Sequence, residues 1–177
     1  MKKVLYFAAL LFGLTLTSCE KEEMGGTATE ATAGQWYVTV DAADENGNLV
    51  EGLEDLFGLG RVVMLTYNTS ANNPNEMIVD DIANFWEFKV KVACDQQALT
   101  FQTNTTENNN LVAGYEDINV TISGGKILPQ AGRQNNGSPA DSIVFYVSFS
   151  DDSYPARYGY KNYRVSGVRY SGLVEND

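Results

Sequence analysis

Residues 85–94, Phe85-Trp86-Glu87-Phe88-Lys89-Val90-Lys91-Val92-Ala93-Cys94, alternate with a period of two. Trp86, Phe88, Val90 and Val92 share one face; Glu87, Lys89 and Lys91 share the other. Successive strand side chains point to opposite sides of a sheet, so this pattern predicts a strand with one buried and one wet face. The same signature recurs on both sides of it. Trp36, Val38 and Val40 alternate with Tyr37, Thr39 and Asp41, and residues 61–68 are β-branched and aromatic. Met77 to Val79 is a short extended run. Leu99 and Phe101 alternate with polar neighbours, as do Ile118, Val120 and Ile122. Residues 143–149 are apolar on both faces, and Tyr163 to Tyr170 completes the series.

Turn chemistry separates these runs. Asn46-Gly47, Asn72-Asn73-Pro74-Asn75, Gly124-Gly125, Asn135-Asn136-Gly137 and Asp151-Asp152 all supply positive φ or fix φ. Gly124-Gly125 predicts a tight hairpin into residues 126–128. The best helical spacing is Leu49, Leu53, Leu56 and Phe57 within residues 49–59, short of a long helix. The fold class is therefore all-β: an antiparallel meander of eight to nine strands, closed as a β-barrel, with a β-sandwich as the alternative. Closure removes unpaired edges, and about eight strands leave an interior that side chains or one small ligand can fill.

The chain has 177 residues, enough for one domain with an adequate core. Its 12 Lys+Arg against 23 Asp+Glu give a net charge of −11. Such a surface repels phosphate backbones, which argues against nucleic acid as a partner. There is no histidine, which excludes Ser-His-Asp and Cys-His catalysis and any zinc site that needs imidazole. Two cysteines, one of them assigned below, leave no disulfide framework.

The amino terminus sets an expected compartment. Met1-Lys2-Lys3 is basic, and residues 4–16 are apolar apart from Gly13 and Thr15. A spanning helix needs about 20 such residues, so the run reads as a secretory leader. Leu16-Thr17-Ser18-Cys19 resembles the lipobox of bacterial lipoproteins. That resemblance implies cleavage after residue 18 and acyl chains on Cys19, which anchor a domain to a membrane without a helix. Glu20-Lys21-Glu22-Glu23 is similar to the export tag of Bacteroidetes surface lipoproteins and implies the outer face of the outer membrane. Residues 19–33 are then the lipidated cysteine and a flexible tether, and 34–177 one barrel domain.

Gly34-Gln35-Trp36, residues 65–72 running on to Asp80-Asp81, residues 84–92, residues 139–147 and Tyr163-Arg164-Val165-Ser166-Gly167 together resemble a Bacteroidetes lipoprotein family. It is described as lipid-binding putative hydrolases and has a calycin-like barrel. The resemblance spans nearly the whole domain and carries no catalytic signature. Gly34-x-Trp36 also resembles the opening of lipocalins, where a first-strand tryptophan closes one barrel end beneath a basic residue from the last strand. That implies Arg164 or Arg169 over Trp36 by a cation–π contact.

Candidate sites follow. For a lipid or other amphipathic ligand, the expected contacts are the inward face (Trp86, Phe88, Val90, Phe101, Ile143, Phe145 and Val147), with Leu56 and Phe57 at the mouth on a glycine-hinged segment. An alternative surface site, for a glycan or a protein partner at the outer membrane, is the tyrosine-rich stretch holding Tyr154, Tyr158, Tyr160 and Tyr163. Hydrolysis is the third reading. Without histidine it rests on Asp80-Asp81, for which a turn pair capping backbone N–H groups before Ile82 is the simpler explanation. The oxygen-rich run from Asp41 to Asn48 departs from calcium-loop spacing and reads as an Asn-Gly turn. No metal or cofactor is expected. Cys94 reads as a buried free thiol. Asp141-Ser142-Ile143 is similar to an O-glycosylation signal of Bacteroidetes exported proteins.

Overall fold

The computed structural model describes residues 26–173. The leader, Cys19 and the export-tag residues lie outside the described residues. Eight antiparallel strands form a closed meander barrel, each paired with its sequence neighbour and β1 with β8. They are β1 (Gly34–Ala43), β2 (Val62–Asn68), β3 (Glu76–Asp80), β4 (Lys89–Asp95), β5 (Thr100–Gln102), β6 (Val120–Arg133), β7 (Pro139–Phe149) and β8 (Asn162–Arg169). One short helix, α1 (Tyr154–Tyr158), interrupts the β7–β8 connection and ends at Gly159, whose φ of 78° only glycine adopts freely. The barrel, not the sandwich, is the outcome, because β1 pairs β8 from Trp36↔Arg169 to Ala43↔Asn162 and leaves no edge.

The period-two reading places the interior. Trp36, Val38 and Val40 of β1, Val90 and Val92 of β4, Val120 and Ile122 of β6, and Phe145 and Val147 of β7 are buried together in one apolar cluster. Burying each such side chain contributes about 1.5–3 kcal/mol, and the strand pattern aims all of them at one space.

Three local expectations fail, each for a physical reason. Residues 85–88 are not strand: the chain arches from Asp81 to Lys89, with Ile82, Ala83 and Glu87 at positive φ. Gly124-Gly125 is not a hairpin. β6 runs through it with a bulge between Ser123 and Lys126, and the backbone at Gly125 lies so close to the Phe101 carbonyl and ring that a Cβ would collide with both. Residues 49–59 form turns in place of a helix, because Asp55, Gly52 and Gly58 take positive φ.

The strand directions sort the connections into two groups. Residues 69–75, 96–99 and 134–138 are short turns at one end, joined there by residues 27–33, which composition assigns to the tether. The four longer connections, 44–61, 81–88, 103–119 and 150–161, gather at the opposite end. Among the described residues no helix is long and apolar enough to cross a membrane.

Candidate functional site

The end with short turns is sealed. Trp36 is fully buried, and its indole N–H donates to Thr66 Oγ1 at 2.9 Å, whose hydroxyl in turn donates to the Thr32 carbonyl at 2.7 Å. The Arg169 guanidinium lies over the indole at 4.4 Å from the ring centre, as the lipocalin resemblance implies. Arg169 also donates to the Ala33 carbonyl and pairs with Asp141 at 3.3 Å. Asp141 is thereby engaged by β8 and by the Gln130 amide, while the neighbouring Ser142 lines a cleft on the outer wall.

The end with long loops holds a cluster of rings. Phe57, on the 44–61 connection, sits at the centre. Its ring lies 5.8 Å from Phe85, 5.9 Å from Trp86, 5.2 Å from Tyr154 and 5.7 Å from Tyr163. Trp86 stacks on Phe149 at 5.0 Å with planes 8° apart, and its N–H reaches Asp151 at 3.1 Å. The contacts of Phe57 with Trp86 and Tyr154 are edge-on, an arrangement that ring quadrupoles favour. Phe57, Leu56, Phe85 and Trp86 are only half-buried, so the cluster stands between the core and water.

Asp81 builds one wall of this mouth. Its carboxylate is fully buried and accepts backbone N–H groups from Ala83, Phe85, Trp86, Glu87 and Phe88 at 2.7–3.1 Å. One side chain thereby satisfies the arch that presents Phe85 and Trp86. Ile82 at φ 45° is a strained position for a β-branched residue, tolerated here because the Asp80 and Asp81 carboxylates over-determine the turn. Asp80 accepts from the Ile82 N–H, the Tyr67 hydroxyl at 2.8 Å and Lys89 at 3.0 Å. The neighbouring Asp80 holds the Lys89 ammonium above its usual pKa, and burial followed by the bond to Asp80 raises that of Tyr67. The aspartate pair thus acts as the turn cap foreseen from sequence, its oxygens given to backbone and neighbours.

The tyrosine-rich stretch divides. Tyr160 and Tyr163 point inward and are buried, whereas Tyr154 and Tyr158 are exposed and stacked on each other at 5.9 Å. The Tyr160 hydroxyl donates to Tyr163, which donates to Asp152, both at 2.6 Å. Burial pushes the Tyr160 phenol up to about 12. Burial, then the hydrogen bond to Asp152, pushes Tyr163 further in the same direction.

Of the inward residues singled out from sequence, Phe88, Val90, Phe101, Ile143, Phe145 and Val147 all lie in the core, none more than 3% exposed. Trp86, Leu56 and Phe57 come together at the mouth. Phe85, Phe149 and Asp81 complete the cluster; the sequence marks Asp81 only as a turn cap or a hydrolytic carboxylate, and Phe85 and Phe149 lie at the ends of runs that read as plain strand. Clefts of about 520 Å³ and 330 Å³ lie on the outer wall along β4 and β5. Asp44 spends its oxygens on the Asn46 and Asn48 amides at 2.8 Å, the turn expected there, and those bonds to Asn48 lower its pKa. Among the described residues no group of three or more His, Cys, Asp or Glu is placed to hold a metal.

No curated protein matches the chain. A family model described as lipid-binding putative hydrolase matches residues 21–174, which takes in the whole barrel. A match over most of the length shows the family, and the chain belongs to the lipid-binding putative hydrolase family.

Proposed function

We propose that the protein is a lipid-anchored binding module of the outer membrane, displayed on the cell surface. It holds the apolar part of a lipid or other amphipathic ligand at the aromatic end of the barrel. The observation that carries this reading is the position of Phe57: a large ring on a segment bounded by Gly52, Gly58 and Gly60, where a Cβ would meet nothing within 4 Å, touching four other rings of the mouth. An alkyl chain that takes the place of Phe57 lies against Trp86, Phe149 and Tyr163, with the core residues Phe88 and Phe145 as the floor. The driving force is about 25 cal/mol per Å² of apolar surface removed from water. The family's lipid-binding description supports the ligand class, and the lipobox-like Leu16 to Cys19 supports the anchor.

Two experiments test the reading. Protein extracted under mild conditions is expected to carry lipid detectable by mass spectrometry, and delipidated protein is expected to take up the uncharged fluorophore N-phenylnaphthylamine; failure of that uptake overturns it. Replacement of Cys19 by Ser is expected to release the protein from membranes, and an unchanged membrane fraction contradicts the anchor. A second reading, contact with a glycan or a protein, draws on the exposed Tyr154–Tyr158 stack with the Arg157 guanidinium 5.2 Å from the Tyr158 ring. A Tyr154→Ala, Tyr158→Ala variant that loses glycan-array or pull-down signals while keeping fluorophore uptake favours it.

A further inference from the structure

We infer that the barrel wall opens sideways between β4 and β6, at a clasp formed by Asn109 and Asn110, and that this opening is the path by which an apolar chain reaches the floor of the aromatic mouth. The inference rests on the lipid-binding reading and names the route into that site. That floor, Phe88 and Phe145, is fully buried, so a chain reaches it from the side only if part of the wall yields. The wall is not equally strong all round. β6 and β7 pair from Val120↔Phe149 to Arg133↔Pro139, and β1 and β8 along the full length of β8. β5, by contrast, is three residues long and meets β6 through Thr100↔Lys126 and Phe101↔Gly125. Towards the mouth, the gap between β4 and β6 is filled by residues 103–119.

Two side-chain amides make the closure there together with Thr103, whose N–H donates to the Ile122 carbonyl at 3.0 Å and whose hydroxyl accepts the Ile122 N–H at 3.1 Å. Asn109 imitates a strand toward β6: its Oδ1 accepts the Val120 N–H at 2.8 Å and its Nδ2 donates to the Val120 carbonyl at 2.7 Å. Asn110 does the same toward β4, accepting the Lys89 N–H at 3.1 Å and donating to the Glu87 carbonyl at 3.2 Å. An isolated bridge, Val90↔Asn110, and the Leu111 N–H to the Lys89 carbonyl at 2.7 Å finish the seam. Backbone ladders break only as whole strands separate, whereas an asparagine side chain rotates about two bonds and lets go by itself. A cleft of about 330 Å³ lined by Lys91, Val92, Asn104, Asn109 and Leu111 lies outside the Asn109 side of the seam. Immediately inside are Val90, Val92, Val120 and Ile122, none more than 1% exposed. Two asparagine amides, the Thr103–Ile122 pairing and one short bridge therefore separate an open cleft, edged by a Leu111 that is 54% exposed, from the apolar core.

The test is the rate of N-phenylnaphthylamine uptake by the delipidated chain in stopped flow. An Asn109→Ala, Asn110→Ala variant, which loses the four amide bonds of the seam, is expected to load at least about tenfold faster, with the amount bound at equilibrium little changed. A Val90→Cys, Asn110→Cys variant is expected to load about tenfold slower when oxidised and to recover on reduction, since the disulfide holds the gate that the amides close. Uptake by the unaltered chain with neither variant changing the rate overturns the side opening and leaves the lipid-binding reading standing. No uptake by the unaltered chain overturns the lipid-binding reading itself. Should either variant fail to fold, hydrogen exchange on the unaltered chain decides. The Lys89, Leu111 and Val120 amides are expected to exchange faster than those of β7 and β8 and to slow when the fluorophore is added; protection equal to β7 and β8 overturns the inference.

Discussion

At the sealed end of the barrel, Trp36 lies fully buried between the Arg169 guanidinium and the core, with its N–H bonded through Thr66 to the chain entering the barrel. At the mouth, Trp86 is half-buried, its N–H reaches a carboxylate at the surface, and its neighbours Phe57 and Tyr154 ride on long connections. Both ends use a tryptophan. One is locked by an N–H bond inside the wall and a cation over its ring, and the other is held by ring contacts and one bond to a surface carboxylate. The turns at the sealed end, 69–75, 96–99 and 134–138, contain no charged residue, while the mouth connections carry Asp44, Glu51, Glu54, Glu87, Asp151 and Asp152 among others. Stability is concentrated at one end and exchangeable surface at the other, the division expected when a rigid scaffold positions functional loops.

The sharpest way to break this comparison is to truncate each tryptophan in turn. Trp36→Ala is expected to cost about 3–5 kcal/mol of stability in urea unfolding, and Trp86→Ala clearly less, because its surroundings are half open. Equal losses would erase the distinction between the ends. Asp81→Ala is expected to cost about 3 kcal/mol, since five N–H groups lose one buried acceptor; the same variant is expected to weaken fluorophore binding by disordering Phe85 and Trp86. Retained binding would show that the arch does not build the mouth.

Residues 81–88 also mark where sequence reading stops. The alternation of β1, β7 and β8 is legible because each side of the strand meets one environment for its whole length. Residues 85–88 continue the same alternation into β4, and nothing local reveals that the Asp81 carboxylate gathers their amides into an arch. Local side-chain capture of backbone N–H groups competes with a ladder, and here it wins. The Gly124-Gly125 pair misleads in the opposite sense: it allows a turn, yet serves a bulge where Phe101 presses on the strand. The leucine spacing of residues 49–59 is helical on paper, while Gly52 and Gly58 take conformations no helix allows. At the mouth, Leu56 and Phe57 are legible as apolar residues on a glycine-hinged connection, whereas Trp86 reads as an inward strand residue, and their meeting point depends on Asp81 and on tertiary packing.

Tyr163→Phe sharpens the comparison further, at about 1–3 kcal/mol, because Asp152 and Tyr160 then lose a buried partner. The pH dependence has a definite sign. Both phenols have folded-state pKa values above the unfolded value of about 10, so their contribution is complete below that pH and is lost as pH rises through the folded values. Unfolding monitored from pH 9 upward is expected to show the unaltered chain losing stability above about pH 10 more steeply than Tyr163→Phe. Parallel curves would contradict the buried chain of hydroxyls. Phe57→Ala is expected to cost only about 1–2 kcal/mol and to raise fluorophore affinity several-fold, because the ligand no longer displaces a ring. Weakened binding would make Phe57 a contact and not a stopper. The smallest effect concerns charge. A long-chain alcohol is expected to bind the acidic mouth about two- to fivefold more tightly than the fatty acid of equal length, with the gap closing in high salt.

The chain's two tryptophans, one at each end, permit the most direct test. A long-chain alcohol brominated along its chain quenches only indoles it touches, and Trp86→Phe and Trp36→Phe variants assign the emission lost. Quenching is expected to fall on Trp86 and to spare Trp36. Quenching of Trp36 alone, of both indoles equally, or of neither would contradict a ligand seated at the aromatic mouth.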